Sequence, residues 1–404
     1  MIITLAAGLY MAMNIGGNDV ANAMGTSVGS KALTFKQAVI VAAIFEFAGS
    51  VLVGSHVTNT IRKGIVNPLH FASSPEILLL GMLAALFSAA LFLQLATALG
   101  LPVSTTHSIV GAVIGFSLIA KGFSSVDWTK FIQIFLSWII SPLAGASIAF
   151  LTFTLVRIKI LDKVHPEKEA KKYAPFLIFL VFAILFLSFV YKGLKNLHLD
   201  LPFSTALGYS VIAAAILAVI SSFFFRRMRA NGRNQADFVE NIFKYLQIVT
   251  ACYVAFAHGA NDVANAIGPL AAIISILSTH SVVMKVSVPF WILAFGGAGI
   301  VIGLILFGMN VIKTVGEKIT EITPSRGFSA EFGAATTVLV FSRLGLPIST
   351  THTLVGAVIG VGLARGIGSL NMLVIRDIVA SWFITLPATA VLSMGIFEIL
   401  RVLF

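Results

Sequence analysis

Two polar stretches of this chain are written twice. Residues 16–25 read GGNDVANAMG and residues 259–268 read GANDVANAIG, while residues 99–115 read LGLPVSTTHSIVGAVIG and residues 344–360 read LGLPISTTHTLVGAVIG. The order of the blocks, and nearly their spacing, is the same in both halves. A duplicated polar core in an otherwise apolar chain is the signature of a carrier built from two repeats around one central site. A fainter similarity, GSHVTNTIRKGI at 54–65 against GMNVIKTVGEKI at 308–319, falls where a third repeated element belongs.

The 404 residues are 58% hydrophobic and only 11% charged, with a mean hydropathy of +0.99. Soluble domains carry about 25% charged residues, so that class is excluded. Runs such as 76–99, 131–156, 174–191, 203–225 and 288–312 can cross a hydrocarbon core, which takes about 20 helical residues. No run alternates as outer-membrane strands do. The expected fold is an all-α polytopic membrane protein with about ten to twelve membrane segments, inverted-topology repeats, discontinuous helices and re-entrant hairpins. The single cysteine, Cys252, lies in an apolar run and reads as packing. The first segment lacks a basic n-region and a cleavage site and reads as a retained helix. The net charge of +11 sits in loops between apolar runs, where it orients a membrane protein, so no nucleic-acid partner is implied.

The chain divides into a first repeat at 1–121, intervening scaffold spans at 122–234, a second repeat at 235–366 and a C-terminal scaffold span at 367–404. Within each repeat a proline, Pro102 or Pro347, forces a break, because it removes a donor and disfavours helix in the residue before it. Arg157, Lys159, Lys163, Lys168, Lys171 and Lys172 form one basic loop; Arg226, Arg227, Arg229 and Arg233 form another. Two spans separate them, so both face the cytoplasm. Counting outwards from there gives the two repeats opposite orientations, the plan that exposes one site to either side in turn.

After each proline break comes a Ser-Thr-Thr-His turn that opens a helix. Ser and Thr oxygens cap free backbone N–H groups, and a helix start also presents unpaired donors and the positive end of its dipole. Ser104, Thr105 and Thr106 with Ser349, Thr350 and Thr351 would converge on an anion at mid-membrane. Asp19 and Asp262, in contrast, cost on the order of 3 kcal/mol each in hydrocarbon and require a partner. Neither block contains Lys or Arg. The partner is therefore a cation or a proton. Asn18 and Asn22, like Asn261 and Asn265, share a helix face, and amide, hydroxyl and carboxylate oxygens suit an alkali ion. The glycines Gly16, Gly17, Gly25, Gly259 and Gly268 would let the helix unwind and offer carbonyls as further ligands. A carboxylate beside an anion is tolerable if cations lie between them or if the anion donates a hydrogen bond. Hydrogen phosphate can donate one and sulfate cannot, which makes phosphate the best cargo.

The duplicated GGNDVANA/GANDVANA and LPVSTTH/LPISTTH blocks resemble those of the inorganic phosphate transporter (PiT) family, over nearly the whole chain. That resemblance implies a usually dimeric inverted-repeat carrier of the cell membrane, importing phosphate with sodium or with protons, some relatives moving sulfate. It places the family's functional Asp and Asn positions on Asp19, Asn22, Asp262 and Asn265, and its Ser/Thr positions on the two turns. Family glutamates match Glu46 and Glu331. The long central hydrophilic loop of vertebrate members is missing.

Other polar residues carry less. Glu46 lies inside an apolar span and reads as a cation or proton ligand, while Glu331 fits a ligand and a helix-start carboxylate equally. Gln94, before the first break, offers an amide oxygen to a cation or to a neighbouring helix. His107 and His352 read as shaping their turns; His56, His258 and His280 have no repeated counterpart and rank below them. No cofactor is expected, sodium being a co-transported ligand. An intramembrane aspartyl protease using Asp19 and Asp262 is the rival enzyme reading, but the Gly-x-Gly-Asp context is missing. A serine hydrolase built on Ser104 and His107 lacks its nucleophile context too.

Overall fold

Hydrophobic runs this long bury their backbone polar groups only by pairing them internally, which makes helix the expected state throughout. The computed structural model describes residues 1–54, 65, 66, 68–190, 201–229, 234–282, 288–344 and 348–404. The sequence features at Pro347, Arg233, His56 and most of 54–65 lie outside the described residues. Helices α1 (Ile2–Ile15) and α2 (Ala21–Gly29) are joined by a π turn, Gly16–Val20. Next come α3 (Phe35–Val53), α4 (Pro75–Ala98), α5 (Thr105–Lys121) and α6 (Trp128–Val156), which ends in a second π turn, Arg157–Leu161. Helices α7 (Pro166–Ser188), α8 (Phe203–Arg227) and the 45-residue α9 (Gln235–Thr279) follow. The chain closes with α10 (Phe290–Phe307), the short α11 (Met309–Lys313), α12 (Pro324–Arg343), α13 (Thr350–Arg365) and α14 (Met372–Leu403). Among the described residues, eight helices are long and apolar enough to cross a membrane. The chain is thus a polytopic helical membrane protein.

Position in the bundle follows burial. The most apolar window of α9 is 78% buried, against 11% for α8, so α9 is the central pillar and α8 lies at the lipid edge. The helices α5 and α13, each following a break, are short and almost wholly buried.

Contacts recur in matched pairs. A Cβ placed on Gly16 would sit 1.8 Å from the Ile300 carbonyl oxygen, and one on Gly259 would sit 2.2 Å from that of Glu46. Likewise Gly303 abuts the Met13 carbonyl and Gly49 that of Phe256. Helix α1 therefore packs on α10 as α9 packs on α3, backbone against backbone. This corrects the expectation of unwinding. The first polar block continues helically as a π turn, and the second is unbroken α-helix. Gly16 and Gly259 serve close approach rather than release of carbonyls.

The matched plan also runs beyond residues 121 and 366. Gly122 and Gly366 have φ of 77° and 114°, which favours glycine, and each leads into a 3-10 turn. Asp127 then caps α6 through the Lys130 N–H, and Asn371 caps α14 through the Val374 N–H. Their own backbone N–H groups donate to Ile65 O and Ile319 O at 2.9 and 3.0 Å, the ends of the fainter repeated element. Ser-Trp recurs at 137–138 and 381–382, with Pro142 and Pro387 inside the two helices. The helices also cross over: α6 packs on α13, and α14 on α5.

Candidate cation and anion site

The two proline-led turns meet at the centre of the bundle. Ser104 and Ser349 cap α5 and α13, each accepting a 3.1 Å hydrogen bond from the backbone N–H of His107 or His352. Thr106 donates to Ile348 O at 3.1 Å, and Thr351 donates to Val103 O at 3.3 Å, so each turn holds the segment leading into the other. The histidines continue this pairing. His107 packs tilted against Trp138 and His352 stacks on Trp382, both with centroids 3.7 Å apart, and the two imidazoles meet edge-on at 4.3 Å.

Both aspartates lie against these turns. Asp19 accepts from Thr105 Oγ1 at 2.5 Å and from Thr351 Oγ1 at 2.7 Å, one hydroxyl from each half. Asp262 accepts from the Asn265 amide at 2.9 Å and more distantly from Asn261 at 3.4 Å. The Asn265 amide also reaches Thr105 and Thr106 at 3.0 and 3.3 Å. Asn18 faces the first break instead: its amide donates to Thr97 Oγ1 and Leu101 O, and its oxygen accepts from the Val103 N–H. Asn261 makes the comparable contact with Ile348 O at 3.3 Å.

His258 stands between the acids. Its Nδ1 is 2.8 Å from Glu46 Oε2, and its Nε2 is 3.2 Å from Asp262 Oδ2 and 3.9 Å from Asp19 Oδ2. The contact with Asp262 is close but not aligned as a hydrogen bond, leaving both atoms without a hydrogen-bond partner. Asp19, His258 and Asp262 offer ligand atoms all within 4.8 Å of one another. Buried and likewise unpaired beside them are Asn22 Oδ1 and Thr350 Oγ1. Asp19, Asn22, His258 and Thr350 line a common cavity of about 20 Å³. That space suits a bare or singly hydrated ion, since about 10–15 Å³ holds one water. It is too small for a tetrahedral oxyanion.

The remaining expected residues lie elsewhere. Glu46 joins the centre only through His258. Glu331 forms its own buried cluster, accepting from Ser27 at 2.5 Å, Thr250 at 2.6 Å, Thr26 at 2.8 Å and Gln247 at 3.0 Å. Gln94 is bonded through its side-chain oxygen by the Tyr10 hydroxyl and borders a separate cavity of about 270 Å³ with Asn14, Thr97 and Asn310.

Sequence reasoning misses the importance of His258, because the first repeat has Ile15 in its place. Its position one turn before Asp262, at helical i,i+4 spacing, is the available signal. Thr26, Ser27, Gln247 and Thr250 are missed as well; no spacing marks residues gathered from two helices around a carboxylate on a third. The tryptophans are legible in the repeated Ser-Trp pair.

Comparison with known proteins gives this arrangement its context. A phosphate transporter family model matches residues 15–393. A Haemophilus influenzae protein named "Putative phosphate permease" is 47% identical over 406 residues, covering 100% of this chain and 97% of that one. "Inorganic phosphate transporter 2-1, chloroplastic" of Arabidopsis thaliana is 43% identical over 419 residues, covering 96% and 70%. A solved structure described as "The sodium-dependent phosphate transporter" superposes with a TM-score of 0.94 at 44% identity, covering 100% of this chain and 99% of that one. The protease reading has no support in any of these. With a match that spans nearly its whole length, the chain belongs to the phosphate transporter family, whose members are carriers rather than enzymes.

Proposed function

We propose that this protein imports inorganic phosphate across the cell membrane together with sodium ions, by alternating access of one central site. A single observation carries the reading: the Asp19 carboxylate holds a threonine hydroxyl from each of the two proline-led turns. While Thr105 and Thr351 donate to Asp19, neither can donate to an anion. A cation bound by Asp19 takes over those carboxylate oxygens and neutralises their charge. The hydroxyls are then free to turn to phosphate, alongside Ser104, Thr106, Ser349 and Thr350 and the N–H groups at the starts of α5 and α13. Coupling in this scheme is an order of events, cation before anion. The cation's ligands are the oxygens of Asp19, Asn22, Asp262 and Asn265, with Asn18 and Asn261 holding the turns in place. Sodium is favoured over softer metals by the hard oxygen donors, and by the sodium dependence for which the structural neighbour is named.

The Glu331 cluster is a second cation position, four neutral donors surrounding one carboxylate. Gln94 is a third candidate ligand, at the separate cavity it borders. The matched contacts of α1–α10 and α3–α9 support inverted repeats as the moving parts, and homodimerisation is proposed through the exposed scaffold helices. His258 favours a second reading in which protons replace sodium as the coupling ion, because an imidazole among three carboxylates offers a proton a resident position. Phosphate uptake into proteoliposomes, with sodium and pH gradients set independently, distinguishes them. Sodium-driven accumulation at equal internal and external pH supports the proposal. Accumulation driven by the pH gradient alone, without sodium, supports the second reading and refutes the first. Sulfate competing as strongly as phosphate would refute the choice of cargo.

A further inference from the structure

Where α6 runs into its terminal π turn, α6, α7 and α12 enclose an apolar cavity of about 260 Å³, lined by Leu155, Val156, Phe176, Leu177, Leu180 and Phe332 among others. Leu155 and Phe176 are more than half exposed, so the cavity opens on the lipid-facing side. Lys159 and Tyr173 also line it, beside the basic loop that follows α6. Two acids of that loop are paired with other bases, Asp162 with Arg157 at 3.7 Å and Glu169 with Lys172 at 3.6 Å, while Glu167 lies 3.9 Å from His165. Among the described residues, no carboxylate pairs with Lys159. The site is thus an apolar slot with one unneutralised cation at its end, set at the depth where a basic loop meets a membrane surface.

We propose that this slot seats an acyl chain of an anionic phospholipid, with the lipid phosphate on Lys159. Charge complementarity selects this occupant. A zwitterionic lipid offers Lys159 a phosphate already balanced by its own cation, and an apolar helix from a partner offers it nothing. The anionic headgroups of the cytoplasmic leaflet supply the complementary charge where the positive-inside rule puts this loop. Occupancy has a route to the transport machinery. Phe332 follows Glu331 directly on α12, and Phe328, one turn earlier, also lines the slot. A chain wedged against these rings braces α12 on α6 and α7, and with it the position of the Glu331 carboxylate between α2 and α9.

The test uses purified full-length protein with phosphatidylglycerol or phosphatidylcholine, retention being read by native mass spectrometry and phosphate uptake by reconstitution. Lys159→Glu removes the cation, Leu177→Trp fills the slot while keeping the charge, and Lys163→Glu alters the same loop outside the slot. Thermal melting checks that all three are folded. Lys159→Glu is expected to lose phosphatidylglycerol retention about fivefold, the worth of roughly 1 kcal/mol per basic residue near a lipid surface, and Leu177→Trp to lose it by filling the space the acyl chain takes. Their uptake in phosphatidylglycerol vesicles should fall to the phosphatidylcholine level, with Lys163→Glu unchanged. Unaltered retention in both slot variants would overturn the proposal. So would equal loss in all three, which would mean diffuse charge attraction, or a disulfide between copies through Leu177→Cys, which would mean that a second protomer covers the slot.

Discussion

The two copies of the Asn-Asp-Val-Ala-Asn-Ala block share their residues but not their surroundings. Asp19 is held by neutral hydroxyls reaching in from both halves, whereas Asp262 is held by amides of its own helix and stands against His258. The divergence is concentrated in one pair of substitutions. Where α9 has His258 before its close-packed glycine, α1 has Ile15; where α3 has Glu46 against that glycine, α10 has Ile300. Both members of the pair are polar in one copy and apolar in the other. A buried imidazole and a buried carboxylate are each costly alone and tolerable together. The packing geometry is thus the same in both copies, while the polarity of one contact differs through a matched exchange.

Removing either acid should have the largest effect. Asp19→Asn and Asp262→Asn are each expected to abolish sodium-coupled phosphate uptake, down to the background of empty vesicles, in protein that still elutes and melts as wild type does. Uptake at wild-type rate in either variant would remove that aspartate from the coupling mechanism.

Next in size is the Glu46–His258 pair, which addresses the difference between the copies directly. Breaking a buried pair by removing one partner costs about 3–5 kcal/mol, because the other is left uncompensated. Glu46→Ile and His258→Ile are expected to lose that much singly. The double variant, which rewrites the second copy in the image of the first, should recover most of it. Unfolding in detergent measures the stabilities, and additive losses in the double variant would show that the two residues are not coupled. Uptake should stay low in the double variant, since the imidazole that faces Asp262 is gone.

Close approach should matter equally on both sides of the comparison. Gly16→Ala and Gly259→Ala place a methyl group 1.8 and 2.2 Å from a carbonyl oxygen, and overpacking of this kind costs about 1–3 kcal/mol. Gly208→Ala, in α8 with open space around it, is expected to be neutral or slightly stabilising in the same melts.

The smallest effect lies outside the membrane. The exposed Glu321 carboxylate accepts from Arg326 at 3.1 Å and lies 3.4 Å from Arg365, and these guanidinium groups hold its pKa below the ordinary carboxylate value. Lowering a carboxylate's pKa on folding adds stability that is present above the unfolded pKa and disappears as pH falls through the folded one. Glu321→Gln should therefore shrink the acid-side slope of stability slightly, and less so at high salt. An unchanged slope at low salt would show the pair to be energetically idle.

Much of this architecture is legible in the chain. The proline break at Pro102, the Ser/Thr caps of α5 and α13 and the two buried aspartates each follow from elementary rules of backbone geometry and desolvation. The glycines are legible only as glycines. Sequence alone does not distinguish one that frees its own backbone from one that admits a neighbour's, and Gly16 and Gly259 do the second. The central role of His258 is hidden by the repeat itself, since attention to what recurs discounts what does not. The four residues around Glu331 come from α2 and α9, an association that only tertiary packing creates.

The proposed transport cycle requires that a cation occupy the Asp19 carboxylate before Thr105 and Thr351 can turn to phosphate. The direct measurement is equilibrium binding of labelled phosphate to the purified protein, with and without sodium, at fixed pH and ionic strength. Sodium is expected to bind in the absence of phosphate, while phosphate binding should be undetectable until sodium is added. Phosphate binding with equal affinity in sodium-free buffer would contradict the account.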